Sequence, residues 1–95
     1  MEIRHLVVGD LVTNCYLLSS EGELGIIDPG GSFERIVNEV SKTGAKVKYI
    51  ILTHWHPDHV ECALELKNKF SAQILVHEAE EKYLKFSPDL FLKNN

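Results

Sequence analysis

Leu52-Thr53-His54-Trp55-His56-Pro57-Asp58-His59 gathers three of the chain's five histidines, with an aspartate between the last two. Imidazole nitrogen and carboxylate oxygen are the donors that borderline divalent ions such as Zn²⁺ take. At this chain's own residue frequencies the pattern His-x-His-x-Asp-His arises by chance on the order of once in two thousand such chains. Each residue also has a plainer role when taken singly. Asp58 and Glu61 have the spacing of a capping box. Pro57 suits a turn before a helix, and loop histidines are ordinarily solvated. These roles account for the residues one at a time and leave the cluster unexplained.

The flanks show what the cluster is mounted on. Val47-Lys48-Tyr49-Ile50-Ile51-Leu52 is a short apolar run with β-branched and aromatic residues, which reads as a buried strand. Downstream, 60–70 reads as a helix whose buried stripe is Val60, Ala63, Leu64 and Phe70. Glu61, Glu65, Lys67 and Lys69 form its solvated side. The donors therefore fall on a strand-to-helix turn at the carboxyl end of a strand, where open α/β sheets place their ligands. Spacing also divides them. His54 and His56 are two apart on extended chain, so they can lean toward one ion. Asp58 and His59 follow the turn at Pro57, so they can face a second ion nearby.

The stretch resembles the metal-binding motif of the metallo-β-lactamase superfamily, and most closely its glyoxalase II-like branch. Thr13-Asn14-Cys15-Tyr16-Leu17-Leu18 is similar to that family's early strand. Ile26-Ile27-Asp28-Pro29-Gly30 is similar to its strand ending in an aspartate and a glycine turn. The resemblance implies an α/β protein with a mixed sheet, the N-terminal half of an αββα sandwich. It implies a two-metal site, with zinc the expected ion and iron or manganese also suited to these donors. His54 and His56 would hold the first metal. Asp58 and His59 would hold the second, with Asp58 also acting catalytically by orienting the attacking water. Such a water loses its proton near neutral pH and attacks a polarised carbonyl or phosphoryl group. The glyoxalase II-like likeness favours a small thioester substrate. Flavodiiron oxygen reductases share the fold but typically have a glutamate where this chain has His56, which counts against a redox role. Asp28 has two readings: a turn aspartate accepting backbone N–H groups, or a carboxylate behind the metals that orients a ligand.

The 95 residues allow one small domain. The family's domain is much longer and takes a further histidine, a bridging aspartate and a last histidine from its C-terminal half. We therefore expect residues 1–95 to be a single, incomplete domain carrying half of a site and inactive in isolation. Its sheet would have one apolar face uncovered, a surface that monomers rarely expose. Hydrophobic content of 44% and charged content of 25% are ordinary for a soluble protein. A net charge of −4 gives no basic footprint for nucleic acid. No apolar run is long enough to span a membrane, and the start of the chain has no secretory pattern. Cys15 and Cys62 fit no metal-knuckle or redox spacing, so both are expected as reduced, buried thiols in a cytoplasmic protein.

Other elements follow from pattern. Strands are expected at 3–8, 14–18, 24–27 and 73–76, the second and third forming an antiparallel hairpin. Ser32 caps a helix whose apolar face is Phe33, Ile36, Val37 and Val40, ended by Gly44. Strand–helix–strand order implies parallel pairing on both sides of 47–52. A last helix is expected over 78–86, and 89–95 shows no closing element. His5 and His77 are lone histidines on strands, for which structural roles outnumber ligation.

Three functions compete. The first is a metal-dependent hydrolase acting on a thioester. The second is a non-catalytic chain that dimerises through its exposed sheet face. The third, a metal-dependent nuclease, is disfavoured by the acidic balance.

Overall fold

The computed structural model describes residues 1–53, 57–77 and 90–92, and at 57–60, 77 and 90–92 it describes the backbone. Six strands form one sheet in chain order: β1 (Glu2–Val8), β2 (Thr13–Ser20), β3 (Glu23–Ile27), β4 (Lys46–Leu52), β5 (Gln73–His77) and β6 (Leu90–Leu92). Helix α1 (Phe33–Thr43) joins β3 to β4, and α2 (Pro57–Phe70) joins β4 to β5. The first three strands are an antiparallel meander, and β3 to β6 run parallel. The helices supply the long crossovers that parallel pairing needs.

The β2–β3 hairpin has a two-residue loop. Glu21 and Gly22 both have positive φ, 52° and 81°. That is the type I′ geometry whose twist matches the strands it joins. Alternation then sets the faces. Leu6 and Val8 of β1, Cys15 and Leu17 of β2, and Leu24 and Ile26 of β3 point to one side and are buried. In β4 the alternation breaks. Leu24 pairs with Val47 but Gly25 pairs with Tyr49, so Lys48 is an extra residue, a β-bulge. The bulge resets the phase, so that Val47, Ile50 and Leu52 all face the core although 47 and 50 are an odd number apart. Lys48 itself is turned outward and bonds Glu23 at 3.0 Å.

Both helices cover this one face. Ile36 and Val40 of α1 are buried with Phe33 and Val37 packed beside them, as the spacing predicts. Gly44 ends α1 in the left-handed region at φ 68°, where glycine carries no Cβ penalty. Two expectations are corrected. Helix α2 begins at Pro57 rather than Val60, because proline suits the first helical position, whose N–H needs no partner. Asp58 therefore lies inside the first turn and is not the residue that precedes it. Among the described side chains of α2 the buried face is Cys62, Ala63 and Leu66, with Leu64 and Phe70 only partly covered; the side chain of Val60 lies outside them. Leu66, three residues after Ala63 and four before Phe70, belongs to the stripe. A third difference is β6, a short strand added beside β5 where no element was expected.

The other face of the sheet carries Ile3, Val7, Tyr16 and Tyr49, which are 61, 40, 37 and 38% exposed. Register places Ile27, Ile51 and Leu75 in line with Tyr16 on that face. Among the described residues no helix is long and apolar enough to cross a membrane. The helix expected over 78–86 lies outside the described residues.

Candidate functional site

The carboxyl ends of β3 and β4 meet at Asp28 and Thr53. Asp28 follows the last residue of β3 and has a left-handed backbone, φ 53°. Its N–H donates to the Ile51 carbonyl at 2.9 Å, the last rung between the strands. Its side chain is 8% exposed, the one buried charged group among the described residues. A buried carboxylate needs donors. Oδ1 accepts the Thr53 N–H at 2.8 Å, and Oδ2 accepts the Thr53 hydroxyl at 2.5 Å. These bonds bear on the first reading of Asp28, a carboxylate that accepts backbone N–H groups. It accepts a backbone N–H, but from the far strand and not from its own turn. That strand ends at Leu52, with Thr53 alone between it and His54.

Glycines bring a second loop onto the same edge. A Cβ on Gly9 would lie 2.2 Å from the Gly30 carbonyl oxygen, and one on Gly30 would lie 2.5 Å from Thr13 Cβ. The β1–β2 turn thus presses backbone to backbone on the Asp28-Pro29-Gly30-Gly31 turn. Ser32 was expected to cap α1. Instead it has a left-handed backbone and makes no side-chain cap bond, and its Oγ accepts the Gly9 N–H at 3.0 Å. Arg35 ties the same corner from α1, donating Nη1–H to the Val7 carbonyl. The glycine contacts were legible only as a glycine pair after a strand. Nothing in the sequence marked Thr53 as the partner of Asp28.

The thiols flank this corner. Cys62 Sγ lies 3.7 Å from the Gly31 carbonyl oxygen. Cys15 is next in register to the Tyr16–Ile27 pair. Burial pushes the Cys15 thiol up to about 12, with Cys62 and Asp28 nearby adding to the shift and Arg35 opposing it. Burial likewise pushes Cys62 up to about 11, against the opposing bond to Gly31. Neither is thiolate at neutral pH, so neither is an activated nucleophile. Both are free and buried, as expected.

His5 stacks on Tyr16 with ring centroids 4.9 Å apart, and its Nε2 lies 2.8 Å from Asn14 Oδ1. That is a cross-strand structural role. His77 is the last residue of β5. Of the four metal-ligand candidates, His54 and His56 lie outside the described residues. Asp58 and His59 occupy the first turn of α2. Among the described residues no three His, Cys, Asp or Glu side chains converge to hold an ion. The metal reading therefore rests on the 54–59 segment. Three imidazoles and a carboxylate have the chemistry of a divalent-cation site. That segment leaves the sheet where a buried carboxylate already stands, at Asp28. The residues fit a metal.

Comparison with known proteins bears on this geometry. The family model described as the metallo-beta-lactamase superfamily matches residues 8–92. Hydroxyacylglutathione hydrolase GloC of Haemophilus influenzae is 35% identical over 85 residues, which are 88% of this chain and 40% of GloC. The probable metallo-hydrolase YqgX of Bacillus subtilis is 32% identical over 84 residues, again 88% of this chain and 40% of the relative. The chain thus spans about 40% of the length of these curated relatives. Among solved structures, the BLEG-1 B3 metallo-beta-lactamase superposes with a TM-score of 0.87 at 24% identity, covering 99% of this chain and 54% of the other. TTHA1623, solved in a di-iron-bound form, gives 0.75 at 28% identity over 84% of this chain and 40% of its own.

Proposed function

The chain belongs to the metallo-β-lactamase superfamily, and on that premise we propose that it carries half the active site of a metal-dependent thioester hydrolase. The observation that carries the reading is the donor cluster His54, His56, Asp58 and His59. It leaves a strand end that Asp28 and Thr53 tie to the neighbouring strand. His54 and His56 would hold one ion, and Asp58 and His59 the other. When bound, such ions make water acidic enough to attack and polarise a carbonyl oxygen. Asp58 would orient the water, and the apolar sheet and α2 would fix where the donors stand. Zinc is the first expectation for imidazole and carboxylate donors. Iron and manganese suit them too, and the TTHA1623 relative was solved with two irons. The thioester preference is supported by the likeness to a protein named hydroxyacylglutathione hydrolase.

The test is hydrolysis of a glutathione thioester by the whole protein, with His56→Ala beside it. The expected result is turnover that falls by at least about a hundredfold in the variant. Equal rates for the two proteins would end the proposal. Self-association through the open sheet face is a second reading, favoured by the exposed Ile3, Val7, Tyr16 and Tyr49. It requires a dimer of the 95-residue chain in solution.

A further inference from the structure

We propose that Thr53 is a positioning residue for the metal-binding segment, fixing the direction in which the chain leaves β4 toward His54. The inference rests on the reading of 54–59 as cation ligands. In a parallel ladder the N–H of a residue bonds the carbonyl just before its partner, and its own carbonyl receives the N–H just after. Asp28 keeps the first half of this rule, donating to Ile51 at 2.9 Å. The next rung would join the Thr53 N–H to the Asp28 carbonyl. At Asp28 the backbone turns left-handed, φ 53°, and Pro29 leads the chain out of the sheet. Oδ1 of the side chain receives the Thr53 N–H instead, at 2.8 Å. The carboxylate thus lengthens the ladder by one rung beyond the point where β3 ends.

The second bond is what makes threonine specific. Its hydroxyl donates to Oδ2 at 2.5 Å, so one residue engages both carboxylate oxygens. One bond alone leaves a hinge; two bonds from the same residue fix backbone direction and χ1 together. Threonine is stiff at χ1 because it is β-branched. Serine keeps the donor with a looser χ1, and valine keeps the shape and loses the donor. The residue so fixed is covalently joined to His54. Outer partners that orient metal ligands typically contribute 10- to 100-fold in metal affinity.

The experiment titrates zinc against a chromogenic chelator with the 95-residue chain and its Thr53→Ser, Thr53→Val and Asp28→Asn variants. Urea melts of the metal-free proteins run alongside. The expected result is about a tenfold or greater loss of zinc affinity in Thr53→Val and Asp28→Asn. Thr53→Ser stays within about threefold of the parent, because the hydroxyl is retained. A merely structural clamp would lower the urea midpoint of Thr53→Val and leave the folded protein's zinc affinity unchanged, which overturns the proposal. Should Thr53→Val fail to fold, unchanged affinity in Asp28→Asn overturns it equally. A parent chain that binds no zinc overturns this inference, whereas the metal reading itself is decided by the His56→Ala comparison in the whole protein.

Discussion

Gly30 and Gly22 are both glycines, for different physical reasons. Gly30 is needed for space: a Cβ there meets the Thr13 side chain at 2.5 Å. Gly22 has nothing within 4 Å of an added Cβ, but its φ of 81° penalises any L side chain. Gly30→Ala is therefore expected to cost about 1–3 kcal/mol by overpacking. Gly22→Ala should cost about 1–2 kcal/mol by backbone strain alone. Urea midpoints check both, and a Gly30→Ala chain as stable as the parent would contradict the contact. The thiols give a pH prediction. In the fold Cys15 and Cys62 hold their protons up to about 12 and about 11, against an ordinary thiol value of 9.0. A raised acid constant means that the folded state binds more protons than the unfolded chain. Stability is then complete below pH 9 and falls as pH rises toward the folded values. Unfolding free energy should decline from about pH 9 upward, less steeply in Cys15→Ala. Iodoacetamide should label neither thiol in the native chain and both after denaturation.

Among the elements, the bulge in β4 carries the sharpest consequence. Because Lys48 resets the alternation, Ile50 is fully buried and Ile51 faces outward in part. Ile50→Ala is expected to cost about 2–5 kcal/mol and Ile51→Ala clearly less. Equal costs would mean that the strand faces are misassigned. The sequence made most elements readable, since alternation in β1 to β3 and the four-residue face of α1 repeat at the periods that strands and helices impose. It hid the bulge, because a run that is apolar at nearly every position has no phase to read. The start of α2 was hidden for a related reason: Pro57 satisfies a turn and a first helical turn equally well. The capping role expected of Ser32 failed because its hydroxyl serves Gly9, a residue 23 positions away that only the tertiary fold brings near. Asp28 was readable as important, but its partner Thr53, 25 positions on, was not. The strand β6 was too short to stand out from its surroundings.

At the scale of the molecule, one side of the sheet has two helices on it and the other shows a row of apolar and aromatic side chains. If that side drives association, light scattering of the 95-residue chain should show a mass that rises with concentration toward a dimer. Tyr49→Lys, which places a charge in the middle of the row, should return it to a monomer. A monodisperse monomer across the concentration range would exclude self-association. The order of the strands in the sheet is their order along the chain. Each described strand therefore finds its neighbour already formed when it leaves the ribosome, and among the described strands none has to be inserted between two earlier ones. The protein can assemble like a row of planks laid from one side, with the antiparallel meander laid first and the corner that joins Asp28 to Thr53 formed only once the fourth plank is down.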